Sequence, residues 1–498
     1  MKRPSMKRLS RIHIDYRTVS NVTGSLLFVE AVMLLLPLLV SLLYGEGEWW
    51  IFLSAAGLSA VAGVTLIQLG GGRHYKLQMN RREGYLLTTF IWIAYSLIGM
   101  VPFMFMPSPL NVTDAFFETM SGFTTTGATV FADVESLSHG ILFWRALTQW
   151  VGGLGIVIFM LVVLPALNQS GSVSLFNAEV TGITHDKLHP RVGQTAKSLL
   201  YVYLLLTAVL ILLLWCGPMN LFDAVCQGFS TMSTGGFSTR NASIAAWHSD
   251  YVGWVVAIFM LVGGVNFMLL YGMLRGNWRP LMRNDVFRAY GLIVLVAWGM
   301  FALARFINGN DGGIGRNLLE PLFQVATTIT TTGFSFGSYE RWGQLALSVI
   351  LILMVMGACA GSTTGAVKID RFVALWKNMR KSVELALYPQ HTVTVEINGH
   401  ALEDTQMSRI MSLFAIYTIL LMAGAMLMSA YGYSFTDSLF ASASCIGNNG
   451  LGYGATGAGG GFGTLPASVK WLYSLLMLIG RLEVFTVIVI FSRKFWRR

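Results

Sequence analysis

The sequence predicts an all-α polytopic membrane protein: two leading helices, then four pseudo-fourfold repeats of helix, re-entrant loop and helix. Three observations predict it. Hydrophobic residues make up 54% of the 498 and charged residues only 12%, too few charges to cover a water-soluble globule of this size. Apolar runs of about twenty residues recur along the chain, the length that a bilayer core demands of a helix. Four times a carboxylate opens a shorter apolar stretch and a glycine follows thirteen residues later: Asp114 to Gly127, Asp223 to Gly236, Glu320 to Gly333 and Asp437 to Gly450. The copies recur at roughly a hundred residues, longer than a solenoid period, so the chain reads as four units around a common axis.

Residues 1–80 hold the two leading spans, near 23–44 and 50–71. The first apolar run exceeds a signal-peptide core and a second follows within a few residues, so it reads as a retained span. The repeats occupy 81–175, 176–282, 283–390 and 391–498. Each pairs an outer with a returning inner span: 86–106 with 141–166, 197–217 with 251–274, 287–307 with 343–376, and 409–431 with 468–492. Ten spanning helices are expected. Most of the 34 Lys and Arg fall on one side of this arrangement, at 2–17, 73–82, 187–197, 275–288, 368–381, 493–498 and Arg409. The positive-inside bias then places both termini in the cytoplasm and all four carboxylate-to-glycine stretches outside. It accounts for the net charge of +10 through the lipid bilayer, with no nucleic-acid partner expected. Cys216, Cys226, Cys359 and Cys445 stand alone, without a CxxC pair, and read as packing residues.

The four short stretches offer only about ten helical residues before a Thr-rich or Asn-rich end, too few to cross a bilayer. They read as re-entrant helices, each started by its carboxylate, which accepts backbone donors and opposes the positive dipole end. Irregular backbone at membrane depth survives only where protein buries it or it lines water, so four such loops imply a lined cavity. Carbonyl oxygens and negative helix ends converging there suit a dehydrated cation, whereas an anion would favour the opposite helix ends.

The motifs TTTGA, STGGF, TTTGF and NNGLG within these repeats, with GACAGSTTGAVKIDR and IGRLEVFTV further on, carry a family likeness. The chain resembles the TrkH, KtrB and HKT superfamily of potassium transporters, and the TrkH family in particular, over essentially its whole length. The resemblance implies that each pore loop lends backbone carbonyls to a potassium filter. By position the filter strands are Thr125, Thr126 and Gly127; Thr234, Gly235 and Gly236; Thr331, Thr332 and Gly333; Asn448, Asn449 and Gly450. The uniform interval favours Gly236 over Gly235 as the filter glycine. A glycine is needed because a crowded filter strand demands backbone angles that a Cβ makes costly. Asn448 and Asn449 break the fourfold equivalence and predict a filter less strict than TVGYG, through which rubidium or sodium leaks.

Each returning helix carries a glycine, at Gly152, Gly263, Gly357 and Gly480, and the fourth follows it with Arg481 where the others have Gly153, Gly264 and Ala358. An arginine in mid-span costs at least ~2.5 kcal/mol. The resemblance places it near the permeation path below the filter, as part of a gate; the alternatives are that it caps carbonyls or pairs with Glu30 or Glu483. GACAGSTTG is too small and polar for a lipid-facing helix, and Gly361 with Gly365 invites a break. The resemblance implies an intramembrane gating loop built from Gly357, Gly361, Ser362, Thr363, Thr364 and Gly365, the alternative being close packing through small residues. Lys368, Arg371, Lys377, Arg380 and Lys381 read as cytoplasmic anchors.

The resemblance further implies a TrkA-type nucleotide-binding regulatory subunit docked on the cytoplasmic face, and a homodimer with one pore per protomer in the bacterial cytoplasmic membrane. No GxGxxG follows a predicted soluble strand, so nucleotide control would come in trans. The expected function is potassium uptake, with potassium as cargo and no organic cofactor. The alternatives are a sodium- or proton-coupled symporter of weak potassium selectivity, with Glu30 or Glu483 as proton carrier, and an organic-solute transporter, for which two inverted repeats would be expected. The eight His are scattered without HExxH or HxxxH, so no catalytic residue and no enzyme is predicted; His185, His189 and His391 read as solvated cytoplasmic residues.

Overall fold

The structure, a computed structural model, describes residues 14–72, 79–163, 192–308, 313–337, 339–457 and 461–496. His185, His189 and the charged groups at 2–11, 73–76 and 187–191 lie outside the described residues. The leading helices Tyr16–Leu43 and Trp49–Leu69 lie against each other through two glycines. A Cβ on Gly24 would stand 2.6 Å from the Gly63 carbonyl oxygen, and one on Gly63 2.9 Å from that of Gly24. Small residues at the crossing let the two backbones approach.

Four outer helices follow, Arg81–Gly99, Val192–Trp215, Asp285–Ile307 and Asp404–Ser429. Each leads through a short helix, Val112–Phe123, Leu221–Met232, Ile314–Ile329 or Phe435–Gly447, to an inner helix. Among the described residues seven helices are long and apolar enough to cross a membrane, nine if two bent pairs each count as one span. The first inner helix, His139–Val163, runs a further 25 residues. Exposed leucines, valines and isoleucines stud the outer helices, for example Leu212, Leu292, Leu295 and Ile419. This is a multi-pass, nearly all-helical membrane protein.

Two expectations about the inner helices require correction. Only the third was expected to break, yet the second bends by 106° between Asp250–Gly263 and Phe267–Leu274, and the fourth by 117° between Ala467–Arg481 and Phe485–Phe491. The third stops at Met356 and resumes at Ile369. All three breaks meet at the segment 357–368, which satisfies backbone groups that the second break exposes and meets the fourth through side chains. Cys359 N donates to Gly264 O (3.1 Å) and Phe267 N to Gly361 O (3.0 Å), while Asn266 Nδ2 donates to Ala360 O (2.9 Å). At the fourth break Glu483 and Val484 adopt φ of 54° and 55°, and Glu483 holds Lys368 (3.1 Å) and Arg371. These two cations are buried hinge partners rather than surface anchors.

The starts of the short helices differ from expectation too. Asp114, Asp223 and Asp437 sit in the first turn, and the caps are Asn111, Asn220 and Ser434, which accept from the N–H of those acids. Glu320 does not start a helix: the third begins at Ile314, an extra turn earlier. Arg305 of the outer helix donates to the Glu320 carboxylate, and Pro321 lacks the N–H that would tie the extra turn to the rest. Cys226, Cys359 and Cys445 are buried, but Cys216 is exposed at the end of its helix. A two-residue hairpin, Glu396–Ile397 with His400–Ala401, turns at Asn398 (φ 52°) and Gly399 (φ 76°), the left-handed pair that Asn-Gly favours in a type I′ turn.

Candidate functional site

The chain leaves each short helix in the same way. The residue two before each glycine takes a left-handed backbone, with φ of 54° at Thr125, Thr234 and Thr331 and 51° at Asn448. The glycines follow at 80°, 84°, 81° and 77° for Gly127, Gly236, Gly333 and Gly450. Gly236, not Gly235, shares this conformation. Asparagine tolerates the left-handed region, but for β-branched threonine it is an outlier. Strain of about 1–3 kcal/mol per residue persists only where the surroundings over-determine it. One such restraint recurs four times: Thr126 N donates to Ser121 O, Gly235 N to Ser230 O, Thr332 N to Thr327 O and Asn449 N to Ser444 O, at 2.9, 2.8, 2.9 and 2.9 Å.

The four loops form a closed ring. A Cβ on Gly127 would overlap the Gly235 carbonyl oxygen, one on Gly236 that of Thr332, one on Gly333 that of Asn449, and one on Gly450 that of Thr126. Each loop therefore touches the next in chain order, and the fourth returns to the first. The glycines are partly accessible whereas Thr125, Thr126, Thr234, Gly235, Thr331, Thr332, Asn448 and Asn449 are buried. The asparagines tie loops together: Asn448 Nδ2 donates to Thr126 Oγ1 (3.0 Å) and Asn449 Nδ2 to Thr328 O (2.8 Å). Inner-helix glycines make room behind the ring. A Cβ on Gly152 would overlap Phe123 O and one on Gly480 would overlap Ile446 O, while one on Gly263 would lie 3.8 Å from Met232 O. These carbonyls all stand four residues before a ring glycine.

The segment 357–368 presses against this ring. Gly365 N donates to Thr331 Oγ1 (2.9 Å), Thr234 Oγ1 to Thr363 Oγ1 (3.3 Å), and a Cβ on Gly365 would overlap Gly447 O. Gly357 and Gly361 take φ of 69° and 75°, and Ser362 Oγ bonds Cys359 O (2.6 Å) and Thr364 Oγ1 (2.7 Å). Arg481 donates from Nη1 to Thr363 O (2.7 Å) and from Nη2 to Gly152 O (2.8 Å). Its hydrogen-bond partners are thus carbonyls, while Glu483 pairs with Lys368 and Arg371 and Glu30 is bonded by Ser59 Oγ (3.2 Å).

Comparison with known proteins gives the same architecture a family. The family model TrkH, described as cation transport protein, matches residues 59–279 and 312–498. The Trk system potassium uptake protein TrkH of Salmonella typhimurium is 33% identical over 488 residues, covering 97% of this chain and 100% of that protein. TrkG of Escherichia coli, also a Trk system potassium uptake protein, is 33% identical over 492 residues, covering 97% and 99%. The chain belongs to the TrkH family. The crystal structure of the potassium transporter TrkH from Vibrio parahaemolyticus superposes with a TM-score of 0.87 at 29% identity, covering 97% of this chain and 100% of that one. The TrkH family is one of transport proteins, not enzymes.

In this TrkH-family chain the ring is braced from outside by charges that sequence reasoning passed over. Arg145, on the first inner helix, is fully buried with Glu118 of the first short helix, Nε to Oε1 2.9 Å. Arg145 also reaches Ser238 O and Thr129 Oγ1, each at 3.2 Å, and stacks over Phe237 at 4.2 Å. Glu118 accepts from Val130 N at 2.9 Å. The pair thus joins the strand after Gly127 to the strand after Gly236. The legible signal was a single arginine and a single glutamate inside stretches read as membrane-embedded. Lys470 likewise holds Asp114 (2.5 Å), joining the fourth repeat to the first. In the loop after the first ring strand, Asn241 donates to Asp133 at 2.7 Å and holds its carboxyl below the usual carboxylate range.

Proposed function

We propose that this protein takes up potassium across the bacterial cytoplasmic membrane, the carbonyls around Gly127, Gly236, Gly333 and Gly450 replacing the water of the ion. The single observation that carries the reading is the closed ring of four glycines with matching backbone angles. Four neutral strands crowding one axis offer oxygens to a dehydrated cation, and the short helices end towards them. The relatives named as potassium uptake proteins support the choice of ion. Gating falls to Gly357, Gly361, Ser362, Thr363, Thr364 and Gly365 with Arg481, since this segment lies against three of the four loops and is tethered by the arginine. Both termini face the cytoplasm, and a TrkA-type nucleotide-binding subunit docks there on a homodimer, in keeping with the basic clusters of that face.

The reading is tested by reconstituting the full chain in liposomes and measuring potassium, rubidium and sodium influx with and without a pH gradient. Potassium and rubidium entry above sodium, independent of the pH gradient, is expected. Flux without cation preference would overturn the filter; flux that requires the pH gradient would replace the channel-like reading with a coupled symporter.

A further inference from the structure

The second loop lacks a side chain where each of the others has one. Immediately before their ring glycines, Thr126 bonds Thr124 through the hydroxyls (2.8 Å), Thr332 bonds Thr330 in the same way (2.7 Å), and Asn449 bonds Thr328 O (2.8 Å). The second loop has Gly235 there. A Cβ on Gly235 would run into the Gln149 side chain, overlapping its Cδ. Gln149 comes from the first inner helix, is wholly buried, and uses both ends of its amide on this loop. Nε2 donates to Gly235 O at 2.7 Å and Oε1 accepts from Phe237 N at 3.0 Å, so one side chain clamps the backbone on either side of Gly236.

We propose that Gln149 is a specificity-determining positioning residue, a side chain supplied by a neighbouring helix in place of the one the second loop lacks. The inference rests on the filter reading above. Gly235 O is one of the four carbonyls packed over ring glycines, and among the described residues it alone of those four receives a side-chain donor. An amide proton on that oxygen withdraws negative charge from the ion and restrains the strand. A weaker, better-held field at one corner favours a large, easily dehydrated cation over sodium, because selectivity depends on the number and strength of the coordinating dipoles. Gly235 has no left-handed φ of its own. Its lack of a side chain is therefore explained by the space Gln149 takes, not by backbone strain.

The test is an exchange. In the reconstituted full chain, Gln149→Ala is expected to lower the potassium-to-sodium flux ratio about tenfold, the factor that losing one to two net hydrogen bonds corresponds to. Gly235→Thr alone collides with Gln149 and impairs transport, whereas Gln149→Ala combined with Gly235→Thr restores the ratio, a sign reversal that only coupled positions show. Gln149→Met fills a similar volume without the amide donor and oxygen, its thioether being at most a weak acceptor, and is expected to behave like Gln149→Ala, which separates bonding from packing; size-exclusion profiles confirm folding. A wild-type ratio in Gln149→Met, or a combined variant no better than Gly235→Thr, would overturn the inference. Gly127→Ala is measured alongside: if it loses selectivity while Gln149→Met does not, only the role of Gln149 fails, and if neither loses it, the filter reading fails with it.

Discussion

Removing the Arg481 guanidinium should open this protein. Arg481 spans two elements, through Thr363 O in the segment 357–368 and Gly152 O on the first inner helix. Hydrogen bonds from a charged donor contribute about 1.5–3 kcal/mol each. Arg481→Ala thus removes roughly 3–6 kcal/mol from the closed arrangement, of which only the part that the guanidinium does not recover on other acceptors after release shifts the equilibrium. A net shift of about 1–3 kcal/mol towards the released segment raises the open fraction some 5- to 150-fold. Loss of the fixed positive charge lowers the barrier to a cation in the same direction. The assay is stopped-flow potassium influx into proteoliposomes, with Arg481→Lys as the second variant. Lysine keeps the charge, but its single ammonium lacks the fork that spans two carbonyls, so flux between wild type and Arg481→Ala is expected. Arg481→Ala with wild-type flux and gating would refute the reasoning. Arg481→Lys indistinguishable from wild type would assign the whole effect to charge and none to the tether.

Three further outcomes follow from the same geometry. Gly450→Ala should abolish potassium selectivity as fully as Gly127→Ala, since each adds left-handed strain of about 1–2 kcal/mol and an overlap with a neighbouring backbone carbonyl; retained potassium-over-sodium flux in one of them would break the ring. Glu118→Met should destabilise the protein by about 3–5 kcal/mol because it leaves Arg145 buried and unpaired, and adding Arg145→Met should recover much of this, read as melting temperature in detergent. Glu483→Gln weakens the hold on Lys368 and Arg371 at the hinge, so higher basal flux with unchanged ion preference is expected, and unchanged flux would remove the hinge from gating.

Legibility varied with how local each feature is. The leading pair, the outer helices and the four short helices follow from runs of apolar residues. The helix starts were only partly legible: the acids were visible, but the caps Asn111, Asn220 and Ser434 stand three residues earlier, and Glu320 serves Arg305 instead. The second bend had a local signal in Gly263-Gly264 and the helix-capping Asn266, whereas the fourth, at Glu483, shows its partners Lys368 and Arg371 only on folding. Arg145 and Gln149, both on the first inner helix, show in the sequence only as polar residues in an otherwise apolar run, and their partners, 27 residues away at Glu118 and 86 at Gly235, come into place only on folding.

By itself the sequence determined a multi-pass helical membrane protein with two leading helices and a glycine at a constant interval in each repeat. These are consequences of hydrophobic burial, charge transfer cost and backbone freedom, which act residue by residue. Tertiary structure decided the order in which the loops close their ring, the partners of Arg481, the three broken inner helices and the side chain that fills the gap at Gly235. Those depend on which carbonyl or amide lies within about 3 Å of another across the bundle, and that proximity exists only once the repeats have packed.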